Sequence, residues 1–583
     1  MTAAKNMALN PSAWPVRKLE TDQQIQEFRT YVAELDLLTE PGGELEVKEA
    51  DRRLIAAFRN GPVLITNGQR YTPAVKAVLD LAIRKSSPLS EEIYMAPEAT
   101  VREIYSERLQ VVEDPATQAN EQARQTELRL LISRAARAGA SDIHIRILQS
   151  HTEIRVRVNG RMRDIDISTE DGGALVRAAL AVASDQNTRG SELTAQQGAL
   201  TKKSQLLPPN VDLIRLQYSP TSEQRGALVM RLKYQSSGAK TNIEELGYSK
   251  DHVRDLQLMR RRTNGLYLFS GKVSSGKSTT LERAMNAMYS EKNKEITTYT
   301  IEEPVELQIP GAIQVAVQSS DEKDRREKMT DAMRGALRSD PNVIVVGELR
   351  DEGTADLALH AAQTGHALWS TVHAGTALGI LDRLESLGVD RWKIADPSIV
   401  RGLLYQRLVG VLCEHCKLDF NEAVKARQIE RDLAHQVMRV TGRGAKELFV
   451  RHPRGCAHCD LGLVGRTVVA ETIVTDATLL DLYFQGNRAE MRAYWTRPKA
   501  RKEDDLPGMG GTPVLHHALV KVGAGLIDPN EVEEEVDLVE VYEREYGHLK
   551  PRLQAEIAEM RGEPARAPAS AAAKNPEAEH ERA

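Results

Sequence analysis

The stretch Leu266-Tyr-Leu-Phe-Ser-Gly271-Lys-Val-Ser-Ser-Gly276-Lys277-Ser278-Thr279 decides the fold. It opens as an apolar β-type run, passes through G-x-x-x-x-G-K-[ST], and continues with Leu281, Ala284, Met285 and Met288 at helical spacing. A loop between a strand and a helix N-terminus wraps phosphate oxygens in backbone N–H groups. Its lysine reaches the terminal phosphates and its hydroxyl binds Mg²⁺. Gly271, Ser274, Ser275, Gly276, Lys277, Ser278 and Thr279 are therefore the candidate binding residues for ATP with Mg²⁺. The plain alternative, a Gly/Ser-rich loop that binds nothing, is disfavoured by the flanking strand and helix.

Downstream, apolar runs at Glu295–Ile301, Val343–Val346 and Ala367–Val372 alternate with helical stretches, which predicts an α/β core with a parallel sheet covered on both faces. Glycines and a lysine hold ATP, but hydrolysis needs a carboxylate at a neighbouring strand end. Glu302 and Glu303 follow one run, and Glu348 stands one glycine beyond Val343-Ile-Val-Val346. Acids beside a strand are usually just solvated. Next to a phosphate loop, Glu348 is the preferred catalytic acid, followed by Glu302. His366 and His373 bracket a third strand and are candidates to sense the γ-phosphate.

The chain has 583 residues, more than one core usually organises, so several domains are expected. Residues 1–120 read as a small α/β or helical domain of unassigned role. Residues 121–236 read as an α+β domain: the helical ELRLLISRAARAGA precedes alternating strands at Thr152–Val158, Asp212–Tyr218 and Ala227–Leu232, with a hairpin turn at Asn159-Gly160. Ser236–Lys240 reads as a linker, 237–411 as the nucleotide core, 412–475 as a cysteine-bearing subdomain, 476–560 as helical, and the Ala/Pro/Glu-rich 561–583 as a disordered tail. With 78 basic and 83 acidic side chains and 4% aromatics, a nucleic-acid partner is not expected. The opening residues lack an apolar targeting segment and no run is long enough to span a bilayer, so a cytoplasmic chain is expected.

All four cysteines fall in two C-x-x-C pairs, Cys413-Glu-His415-Cys416 and Cys456-Ala-His458-Cys459. Four thiolates in paired knuckles suit tetrahedral Zn²⁺. The 39 residues between the pairs exceed a compact ribbon, and a helix near Arg427–Val440 is expected to fill the gap. Buried or redox thiols are the lesser alternative.

In order and spacing, the loop at 271–278, TIEEPVE (300–306), LRSDPNVIVVGELRD (337–351) and TGHALWSTVHA (364–374) resemble the Walker A, Asp box, Walker B and His box of the type II secretion and type IV pilus ATPases. ASDIHI, VRVNG and IEELGY resemble that family's second N-terminal domain. The resemblance implies a RecA-like core preceded by a PAS-like α+β domain, a homo-hexamer with arginines from the smaller domain completing the site, and an inner-membrane platform protein as partner. It implies Arg155 and Arg157 for that arginine role, although a solvated strand face is an equally open account of either. The tetracysteine element resembles assembly and secretion motors rather than retraction motors. Glu303 stands where the family usually has Asp, as does Gln197. A retraction or conjugation ATPase of the same superfamily, or a RecA-like nucleic-acid translocase, are the alternative functions.

Overall fold

A computed structural model describes residues 14–40, 42–48, 51–85, 87–108, 115–148, 151–165, 172–183, 196–221, 225–235, 242–303, 305, 308–317, 319, 322–500 and 506–564. The linker at 236–240 and most of the expected tail (565–583) lie outside the described residues, as do Pro304 and Glu306. The chain divides into two compact units, Met1–Arg124 and Gln125–Ala583.

The first unit contains β1 (Val16–Lys18), β2 (Ile55–Ala57), β3 (Gly61–Thr66) and β4 (Leu89–Ala96) in the order β1-β4-β3-β2. β1 and β3 run parallel to β4 and β2 runs antiparallel to β3. All six residues of β3 are buried, as an apolar central strand between helices requires.

The division falls within the helix Pro115–Arg137, and the second unit continues into an antiparallel sheet of β5 (Asp142–Ile147), β6 (Thr152–Val158), β7 (Arg161–Asp164), β8 (Gln196–Thr201), β9 (Val211–Thr221) and β10 (Arg225–Tyr234), ordered β7-β6-β5-β10-β9-β8. β6 buries Ile154, Val156 and Val158 and turns Arg155 and Arg157 outward. The β6–β7 turn places Asn159 and Gly160 at φ 50° and 84°, the left-handed pair that an Asn-Gly hairpin supplies cheaply.

The core sheet contains β11 (Gly265–Ser270), β12 (Thr298–Glu302), β13 (Ala312–Ala316), β14 (Val343–Val346), β15 (Ala367–Val372), β16 (Val400–Leu412) and β19 (Leu463–Val474), in the order β13-β12-β14-β15-β11-β16-β19. Only β19 is antiparallel to its neighbour. Period-two alternation sends successive residues to two covered faces, which is why β11, β14 and β15 are buried along their whole length. Leu266, Leu268, Ile344, Val346 and Leu368 face one core with Met329, Met333, Ala355 and Leu359. Tyr267, Phe269, Val343, Val345 and Trp369 face the other with Leu256, Leu281, Met285 and Met288. Trp369 stacks on Tyr267 with ring centroids 4.4 Å apart.

Within the segment 412–475 that carries the cysteines, β19 pairs with β16 along nearly its whole length and completes the core sheet. Between them lie β17 (Leu418–Asp419), β18 (Phe449–Val450) and the helix Arg431–Thr441, which fills the gap between the cysteine pairs. C-terminal helices at 514–523, 539–546 and 550–560 pack with it in a further apolar core.

Candidate nucleotide site and four-cysteine cluster

β11 is buried along its length and delivers the chain to Gly271 at its C-terminal end. Gly271 (φ 149°) and Gly276 (φ 86°) adopt backbone that side chains disfavour, and a Cβ on Gly271 would stand 2.4 Å from the Gln406 carbonyl. Ser274 also takes positive φ, at 64°. The helix Lys277–Glu291 starts immediately afterwards with no side-chain cap, so its first N–H groups and dipole face the loop. The Lys277 ammonium donates to the carbonyls of Gly271 (2.8 Å) and Lys272 (3.1 Å), folding the lysine back over the loop. Phosphate oxygens at this loop would compete for the same ammonium. Ser278 and Thr279 occupy the first helical turn, and the buried Ser275 hydroxyl has no partner among the described residues.

Because β12, β14, β15 and β11 are parallel, their C-terminal ends share one edge of the sheet, and that edge carries the chemistry. At the end of β14, Glu348 accepts from Arg350 Nε (2.8 Å) and its other oxygen lies 2.9 Å from His373 Nε2 at the end of β15. Glu302, at the end of β12, accepts from Thr300 Oγ1 (2.7 Å) and Gln314 Nε2 (3.2 Å). Its Cα lies 3.6 Å from where a Cβ on Gly347 would project, an ordinary van der Waals separation, so the two acidic strand ends sit side by side.

Glu303 takes up a different position. Its carboxylate binds Ser319 and the buried Arg325, whose Nε lies 2.7 Å away. Arg325 also approaches Asp351 at 3.5 Å, the residue that caps the helix Glu352–Gln363. Glu303 thus ties a strand end to two helices rather than offering a free base.

The two candidate histidines fall at different ends of β15. His366 precedes β15, and its carbonyl accepts from Gly265 N at the start of β11. It therefore lies at the opposite edge of the sheet from Gly271, roughly 20 Å away for a six-residue strand, and within one chain it cannot meet a phosphate held at the loop. Apolar alternation marks both ends of a strand equally and does not say which end faces the site. Arg350, to which the sequence assigned no role, is bound to Glu348, so the carboxylate site has an arginine of its own.

Arg155 and Arg157 are not brought to the loop by any contact among the described residues. Arg155 pairs with Asp164 (3.1 Å), while Arg157 lies 3.6 Å from buried Asp142 and donates to the Gly160 carbonyl (3.0 Å). Neighbouring arginines of β7 reach the C-terminal part of the unit, Arg163 to Asp460 and Arg161 to Glu534 (3.4 Å).

The four cysteine sulfurs lie within 4.8 Å of one another. Cys413 and Cys456 are 3.8 Å apart, and Cys416–Cys459 and Cys456–Cys459 are each 3.7 Å apart. Ligands about 2.3 Å from a tetrahedral Zn²⁺ stand about 3.8 Å apart, so these three separations match edges of such a tetrahedron and the four thiols could hold the ion. The turns are knuckles, with Cys456 N and His458 N directed at Cys459 and Cys456 sulfurs. Burial pushes the Cys416 thiol up, the direction a bound divalent cation would reverse. His415 and His458 pack against each other at a tilt of 33°, ring centroids 4.3 Å apart, and are not in the sulfur cluster.

The parallel sheet, the loop after its β11 strand and the acids on the same edge define a P-loop nucleotide-binding protein. The chain belongs to the type II/IV secretion system protein family, whose profile matches residues 117–514. It is 31% identical over 360 residues to the type II secretion system protein E of Dickeya dadantii, covering 60% of this chain and 65% of that protein. To the type IV pilus assembly ATPase PilB of Thermus thermophilus it is 30% identical over 503 residues, 82% of this chain and 52% of that one. The chain thus spans less than two thirds of the length of either relative. A solved structure of the pilus retraction motor PilT with bound ADP matches at 21% identity and TM-score 0.45, covering 70% of this chain and 96% of that one.

Proposed function

We propose that the chain is a Mg²⁺-dependent ATPase that powers type IV pilus assembly or type II-like secretion. The single observation that carries this is the shared sheet edge, which bears both Lys277 on its loop and Glu348, itself held between Arg350 and His373. Lys277 and the N–H groups of Gly271–Thr279 hold the phosphates, Ser278 and the strand-end acids hold Mg²⁺, and Glu348 orients or deprotonates the attacking water. A carboxylate between an arginine and a histidine has its orientation fixed, which lowers the reorganisation needed at the moment of attack.

The curated relatives act in secretion and pilus assembly, and the four-cysteine cluster favours assembly or secretion over retraction. We place the protein as a six-membered ring on the cytoplasmic side of the inner membrane, held by a platform protein that it moves. No helix among the described residues is long and apolar enough to cross a membrane. Phosphate release from MgATP by the purified chain, compared with Lys277→Ala, tests the assignment. Loss of the ammonium is expected to lower turnover by at least about 100-fold. Equal rates would overturn the nucleotide site.

A further inference from the structure

Residues 242–249 carry the chain from the α+β sheet into the helix Lys250–Arg261 that begins the core. This linker is pinned twice. Gly247 takes φ 97°, and a Cβ there would collide with Thr467 Oγ1 at 2.0 Å, so the backbone passes close against β19. Its carbonyl accepts from the buried Lys521 ammonium at 2.7 Å, which also donates to Thr467 Oγ1 (2.7 Å) and the Val468 carbonyl (2.6 Å). The next residue, Tyr248, turns its ring inward until it is 6% exposed.

The Tyr248 hydroxyl lies 2.6 Å from Gln406 Oε1 and 3.1 Å from Thr280 Oγ1, and Gln406 Nε2 donates to the Ser275 carbonyl at 2.7 Å. The roles in this chain are fixed by elimination. The Ser275 carbonyl only accepts, so the amide must present its NH₂ there and its oxygen to the phenol. The phenol proton goes to Gln406, and Thr280 donates to the phenol oxygen. In a trans peptide the C=O of Ser275 and the N–H of Gly276 point in opposite directions. By drawing that carbonyl toward the buried amide, Gln406 aims the Gly276 N–H away from the interior.

We infer that Tyr248 is a positioning residue for the phosphate loop: through Gln406 it sets the Ser275–Gly276 peptide, so the loop's grip on phosphate depends on where the interdomain linker sits. The inference rests on the assignment of Gly271–Thr279 as the nucleotide site. It gives the α+β domain a route to nucleotide affinity that requires no arginine to reach the site, because any displacement of that domain that pulls on residues 242–248 pulls on the phenol. Neither Tyr248 nor Gln406 touches the phosphates themselves.

The test uses the full chain, with MgADP affinity measured by titration calorimetry and the melting temperature measured in parallel. Tyr248→Phe deletes one oxygen and keeps the ring in its packing, leaving the Gln406 oxygen without its donor. Loss of a buried hydrogen bond of this kind is expected to weaken MgADP binding about ten-fold. Gln406→Leu should produce a loss of similar size, and the double variant should be no worse than either single one. A lowered melting temperature with MgADP affinity within two-fold of wild type would make Tyr248 a packing residue and overturn the inference. So would additive losses in the double variant. If the wild-type chain itself fails to bind MgADP, the nucleotide-site assignment falls instead.

Discussion

Replacing Cys416 by Ser tests the four-sulfur cluster, and the structure sets the size of the effect. Three sulfur separations of 3.7–3.8 Å already match the edge of a ZnS₄ tetrahedron and all four sulfurs lie within 4.8 Å, so binding Zn²⁺ would need only small rearrangement. Structural zinc in small finger peptides is worth about 10–16 kcal/mol, nearly all of it folding energy. Here the dependence is more local, because Cys413 directly follows β16, which is held to β19 from Gly402 to Leu412 without help from a metal. What the ion would secure is the pair of knuckles, the turn at Gly462 whose carbonyl accepts from Cys413 N, and the short β17–β18 pair beyond. An ion present at 1,000 times its dissociation constant stabilises the bound state by about 4 kcal/mol. Cys416→Ser should lose most of that, and proteolysis should nick the chain first near Arg451 and Arg454. The assay is elemental analysis of protein purified without chelator, with thiol titration of the native chain. One zinc per chain and four slowly reacting thiols are expected. Absence of zinc together with four freely reacting thiols would refute the reasoning.

Glu348→Gln keeps the shape but removes the charge between Arg350 and His373. Turnover should fall by about 100-fold or more while ATP remains bound, as trapping of labelled nucleotide would show; a full-rate variant moves the role to Glu302. Arg155→Ala removes only an exposed pair with Asp164, worth less than about 1 kcal/mol. If Arg155 serves a neighbouring subunit in the ring, turnover should drop by about 10³ with the melting temperature unchanged, and unaltered turnover removes it from that role. Burial lowers the His252 pKa to about 3, from 6.5, while its ring packs 4.6 Å from that of His517. The unfolded chain then takes up a proton first, so stability is intact above about pH 6.5 and declines as pH falls toward 3, by at most about 5 kcal/mol for this group. His252→Gln should flatten the acid side of a stability-versus-pH curve, and an unchanged slope counts against this source.

The phosphate loop was legible because its constraints are local: two glycines, a lysine and a hydroxyl at fixed spacing between a buried strand and a helix. The cysteine pairs were legible for a similar reason, since each knuckle is four residues long. The end of the sheet that bears the chemistry was not legible at His366, because residue alternation carries no direction and only the parallel register with β11 supplies one. β16 and β13 were missed as strands. β16 mixes Arg, Gln and Gly into its apolar run, and β13 is a short, partly exposed edge. Tyr248 and Gln406 are 158 residues apart in sequence, and nothing in the spacing of either one announces the other. Arg325 was hidden in a strongly charged helix whose periodicity is weak, although it is among the most buried arginines of the described chain.

β16 has one further consequence. It is 13 residues long, with Gln406 against the phosphate loop near its middle and Cys413 just beyond its end; it pairs with β11 as far as Tyr405 and with β19 from Gly402 to Leu412. At about 3.4 Å per residue, Gln406 and Cys413 stand roughly 24 Å apart, so a rocking of about 10° at the nucleotide would sweep the knuckles through about 4 Å. Paired strands resist bending along their hydrogen bonds, so if the pair moves as one lever, a peptide-scale adjustment at one end would emerge at the other as a displacement as large as an atom.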